Sequence, residues 1–103
     1  MAEKNTYIYK VSMGKGNDVD EVAFCYARNK IAAREGYREI FRENKYDRFN
    51  VVMFGEADYK KHPEWFKPMP REEVDYVLRN KLADADAYAQ RKIIEQISES
   101  EEA

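Results

Sequence analysis

The chain has 103 residues, with 18 Lys and Arg against 20 Asp and Glu, and its formal charge of -2 leaves no strong overall positive field to draw it to nucleic acid. Hydrophobic residues at 44% beside charged residues at 37% exclude a disordered polyelectrolyte and predict one modest core under a heavily charged surface. A single domain over residues 1–103 is expected, burying roughly 65% of the unfolded surface, with residues 1–5 and 98–103 disordered.

Cys25 is the lone cysteine, so no intrachain disulfide forms, and a reducing compartment is the expectation. The first residues do not resemble a signal peptide, and no apolar run approaches a membrane span. The expected location is cytoplasmic, with no membrane partner.

Thr6 to Met13 alternates Tyr7, Tyr9, Val11 and Met13 with Thr6, Ile8, Lys10 and Ser12, the period of a strand with one better-buried face. Gly14 to Asp20 reads as a hairpin turn, since glycine, Asn and Asp tolerate the backbone that turns require. Glu21 to Ala27 is the second strand. Its small residues Ala23, Cys25 and Ala27 share one face and would let a helix approach closely.

From Arg28 or Asn29 to Asn44 the period becomes helical, with Ala33, Gly36, Tyr37, Ile40, Phe41 and Asn44 on the inward side. Gly36 costs about 1 kcal/mol in a helix interior, so its place there points to close packing on the second strand. Arg48 to Gly55 is apolar on both alternating faces and reads as the central strand, parallel to the second strand across the helical crossover.

Glu56 to Pro70 has no period and contains Pro63, Pro68 and Pro70, which predicts a long loop. After Pro70 a single helix is expected to about Ile97, some 40 Å long at 1.5 Å per residue. The predicted fold is therefore α/β (α+β): a small two-layer β-β-α-β-α domain with a three-stranded mixed sheet and a long C-terminal helix.

Catalytic residues are sparse. His62 lies near Glu64 in the Pro-rich loop, and Cys25 alternates within a strand, so the first reads as solvated and the second as core. No nucleotide-binding glycine fingerprint, nucleophile elbow or paired Cys/His spacing occurs, and Asp18, Asp20 and Glu21 lack the spacing of a calcium loop. The expectation is a protein without enzymatic activity, cofactor or bound metal.

Two surfaces remain for binding. The first combines Tyr59, Trp65 and Phe66 in the loop with Tyr76, Ala83, Ala87 and Ile94, which line the C-terminal helix opposite its core stripe of Val74, Val77, Leu78, Leu82, Ala85, Ala89 and Ile93. Aromatic residues suit protein hot spots, and a second stripe on an overlong helix suits a two-fold dimer. The leading expectation is a small accessory protein that binds another protein and associates with itself.

The second surface is the basic stripe Lys30, Arg34, Arg38 and Arg42, with Lys60, Lys61 and Lys67 in the loop, the shape of a nucleic-acid contact. Glu35, Glu39 and Glu43 run beside it, and the pairs Glu35 with Arg38 and Glu39 with Arg42 are spaced for mutual neutralisation, so a solvated helix face is the preferred reading. A third alternative is an acidic inhibitor of a nucleic-acid enzyme, acting through Glu95, Glu99, Glu101 and Glu102.

Overall fold

In the computed structural model, which describes residues 5–63 and 66–98 together with the helical backbone through residue 102, the alternating segment forms β1 (Thr6–Lys15) and turns back as β2 (Asp18–Ala27). The hairpin is antiparallel, with Tyr7 opposite Ala27 and Val11 opposite Ala23. Its turn is only Gly16 and Asn17, and Gly16 takes φ 58°, a conformation that only glycine adopts without cost. One residue earlier in pairing order the register slips: Met13 faces Glu21 but Gly14 faces Val19, leaving Asp20 as the extra residue of a bulge.

Asn29 starts the next element by accepting a hydrogen bond from the Ala32 amide through its side chain, at 2.8 Å. The predicted helix is two short ones, α1 (Lys30–Gly36) and α2 (Arg38–Glu43), separated at Tyr37. Lys45, at φ 55°, ends this segment, and β3 (Arg48–Ala57) follows. Asp47 and Arg48 tie the start of β3 to the hairpin turn: Asp47 accepts from the Gly16 amide at 3.0 Å, and Arg48 donates to the Gly16 carbonyl at 2.7 Å.

The α+β class holds, with a different sheet from the one expected. Among the described residues four strands pair in the order β3-β1-β2-β4, all antiparallel, where β4 is Phe66–Pro68. β1 and β2 are therefore the strands with neighbours on both sides, and β3 is an edge strand, not the central one. β2 and β3 do run in the same direction, as the crossover requires, but β1 lies between them and pairs with both. Residue alternation records which faces are buried and is blind to which neighbour a strand bonds, so the two-sided apolar run of β3 gave no warning. The exposed residues on it are the visible consequence, with Val52 at 47% and Met53 at 56%.

The core lies between one sheet face and α1–α2. Tyr9, Val11, Met13, Cys25, Ala27 and Val51 meet Ala32, Ala33 and Tyr37 there, and Ile40, Phe41 and Phe49 pack at its margin. Small residues on β2 bring α1 close, as their alternation predicted. Gly36 serves a different contact from the one expected: a Cβ there would lie 2.2 to 2.4 Å from the Phe66 ring, which also meets Tyr37 edge-on at 5.3 Å. Gly36→Ala is accordingly expected to displace that ring and loosen β4, lowering stability by about 1–2 kcal/mol despite alanine's better helix propensity. Urea unfolding of the variant against wild type measures it; a stabilised Gly36→Ala variant would show that the ring moves aside freely.

A second compact unit, Pro70–Ala103, follows the first, Met1–Met69. It contains α3 (Arg71–Asp84) and α4 (Ala87–Glu102), so the single 40 Å helix of the sequence reading is interrupted. Ala85 leaves the helical conformation at φ -96°, ψ 154°, and the Asp86 carboxylate accepts from the Ala89 amide at 2.9 Å. That is an N-cap restarting the helix. Among the described residues, Leu78, Ile93 and Ile97 are the buried apolar residues of this unit.

Candidate binding groove

Two adjoining depressions run along the side of α1–α2 where β3 forms the sheet edge. The first, about 300 Å3, is lined by Lys30, Ile31, Arg34, Phe49, Asn50 and Val51. The second, about 500 Å3, is lined by Arg34, Glu35, Arg38, Phe41, Arg42 and Phe49. Arg34 and Phe49 belong to both, so the two depressions adjoin across that pair and together make a groove with a partly aromatic lining.

The groove collects the basic stripe. Lys30, Arg34, Arg38 and Arg42 all line it and all are exposed, whereas Glu39 and Glu43 do not line it. Glu35 is its one acid, 3.5 Å from Arg38, and both side chains are more than half exposed, a geometry worth little in water. Among the described residues no ion pair joins Glu39 to Arg42. The mutual neutralisation expected from i,i+3 spacing is thus half realised, and the groove keeps an excess of positive charge.

Arg34 is the side chain that connects helix and strand. Its guanidinium sits 5.2 Å from the centre of the Phe49 ring and reaches the Phe49 carbonyl at 3.4 Å, a cation over an aromatic face with one long hydrogen bond. Phe41 meets Phe49 at 5.2 Å, completing the aromatic lining. Ile31, 73% exposed, stands at the lip.

The other predicted residues do not join this site. Lys67 is on β4, at the far edge of the sheet from β3, and Lys60 and Lys61 are exposed in the β3–β4 connection. The basic residues of loop and helix therefore do not form one surface. Tyr59 is half-buried, Phe66 is spent on Gly36 and Tyr37, and Trp65 lies outside the described residues. Tyr76 and Ile94 are exposed at 68% and 52%, as are Ala83 and Ala87, but Tyr76 and Ala83 belong to α3 while Ala87 and Ile94 belong to α4. The break at Ala85 and Asp86 ends the single stripe that suggested a dimer face. Of the acidic set, Glu95 is exposed and 3.9 Å from Lys92, while the side chains of Glu99, Glu101 and Glu102 lie outside the described residues.

The two reactive side chains also lie away from the groove. Cys25 is fully buried in the core, and that burial pushes its thiol up to about 12. His62 is not solvated as the loop reading implied: its ring stacks on Tyr26 with centroids 3.6 Å apart, and the Thr6 hydroxyl donates to its backbone carbonyl. Among the described residues no group of three or more His, Cys, Asp or Glu side chains is arranged to hold a metal ion, and no helix is long and apolar enough to cross a membrane.

The spacing of the cations is legible in the sequence, and the groove is not. The aromatic wall of the groove comes from Phe49, whose sequence pattern reads as a central strand, and only the pairing order puts that residue beside Arg34. No protein-family model matches the chain, and neither a curated protein nor a solved structure does.

Proposed function

We propose that this is a non-enzymatic binding protein that acts through protein–protein interaction, with the basic and aromatic groove beside β3 as its working surface. The observation that carries this reading is the convergence of Lys30, Arg34, Arg38 and Arg42 on one groove whose lining includes Phe41 and Phe49. Positive charge steers an anionic partner, and exposed aromatic and aliphatic groups supply the apolar contact that anchors it.

A nucleic-acid partner is the second reading, supported by the same cations beside rings able to stack on bases. It is weakened by the separation of Lys67 from the groove and by the overall charge of -2. Titrating isotope-labelled protein with polyglutamate at low salt is expected to shift the backbone amides of Ile31, Arg34, Phe49 and Val51 before others. Unchanged amides at these positions would remove the groove as a working surface.

A further inference from the structure

We infer that the occupant of the groove is an extended acidic peptide segment, added as a fifth strand along the outer edge of β3. This rests on the groove being the working surface and specifies the chemistry of its partner.

β3 is an edge strand, and among the described residues no strand lies beyond it. Its peptide groups on that side form a template for another chain, which would sit about 4.8 Å further out. The Phe49 carbonyl already takes a donor at that edge, the Arg34 guanidinium at 3.4 Å. Such a long contact is readily exchanged for the amide of an incoming strand, releasing Arg34 to meet a carboxylate.

The length of the template is set by the strand itself. Ile8 pairs with Gly55 and Tyr9 with Met53, so Phe54 is the extra residue of a bulge and its ring turns to Phe24, 5.3 Å away. Regular pairing on the outer edge therefore spans Arg48 to Met53. The added strand would present alternate side chains to opposite faces. On the helix side they meet Lys30, Arg34 and Arg38, which calls for Asp or Glu; on the other they pass Val52, which calls for an aliphatic residue.

Val52, Met53 and Ile31 are exposed beside this edge, apolar surface that a phosphodiester chain would leave wet and a peptide strand would cover. That favours peptide over nucleic acid.

The test uses the full chain and a fluorescent peptide alternating Glu and Val over six residues, followed by anisotropy at low salt. Binding is expected to weaken about tenfold in Arg34→Glu. Two N-methylated versions of the peptide separate strand addition from charge attraction. Methyls on every second amide in one register are expected to weaken binding about a hundredfold, and in the other register to change it little, because only alternate amides face β3.

Equal affinity of both methylated peptides would overturn strand addition while leaving an anion-binding groove. Absence of peptide binding, with no effect of Arg34→Glu on any ligand, would remove the groove reading as well. Two further results overturn the proposal in favour of another occupant. One is tighter binding of oligodeoxythymidylate than of the peptide; the other is a doubled mass in light scattering that Val52→Lys abolishes, which gives the edge to a second copy.

Discussion

Gly14→Ala is expected to lower stability by about 3 kcal/mol, the upper end for overpacking, because the new methyl has nowhere to go. A Cβ at Gly14 would lie 1.9 Å from the Asp18 carbonyl oxygen and 3.0 Å from the Val19 Cα. Both are backbone atoms, held by the bulge that leaves Asp20 unmatched, so no side-chain rotation relieves the clash. Gly14 is not among the residues with positive φ, whereas Gly16 is. The two glycines thus separate contact from conformation. Gly16→Ala meets no atom within 4 Å and should cost only the left-handed backbone term, about 1 kcal/mol. Urea unfolding of both variants gives the comparison, and equal small losses would mean that the bulge relaxes to accommodate a side chain.

Stability is also expected to fall steeply between about pH 9 and pH 12, by up to about 4 kcal/mol from Cys25 alone at about 1.4 kcal/mol per pH unit. The sign follows from the protons. Burial holds the Cys25 thiol neutral up to about 12, while the unfolded chain ionises it near its ordinary value of about 9, so above that point the unfolded state has lost a proton that the folded state keeps.

The contribution is complete below the unfolded value and disappears as pH rises through the folded one. Tyr37 adds to the same slope. Its hydroxyl is held up chiefly by burial, then by the neighbouring charges of Cys25 and Glu21, and Tyr9 is raised by burial and by Tyr7 and Cys25. Unfolding midpoints from about pH 8 to about pH 11 should decline in wild type and decline less in Cys25→Ala with Tyr37→Phe. The companion observation is that Cys25 resists iodoacetamide near pH 8 until the chain is unfolded. An unchanged slope in the double variant would place the alkaline sensitivity elsewhere.

How much of this was legible beforehand depends on whether a residue's signal is local. Alternation placed β1 correctly because Tyr9, Val11 and Met13 face the helices whatever their neighbours, and small Ala23, Cys25 and Ala27 announced a close helix for the same reason. Asp86 was readable as a cap, and its neighbour Ala85 continued the apolar stripe well enough to hide it.

Phe49 and Val52 were a different matter. Their partners are chosen by strand order, a property of the whole sheet, and an apolar edge strand looks in sequence like a central one. The basic stripe was legible as residue types and spacing, but its conversion into a groove needed Phe49 beside Arg34. Phe66 stands out in sequence as a loop aromatic, and only the position of Gly36 relative to its ring shows that it serves the core.

The strand order has a consequence for synthesis. β1 can pair with β2 across a two-residue turn as soon as Ala27 has emerged, but its second edge waits for β3, whose first residue comes 21 positions after the last of β2. During that interval the strand that ends most buried in the sheet has one bare edge, and Val11 and Met13 have no Val51 or Phe49 beside them. The nascent hairpin is the species most open to wrong pairing, and the arrival of β3 closes that hazard by moving the free edge outward onto itself.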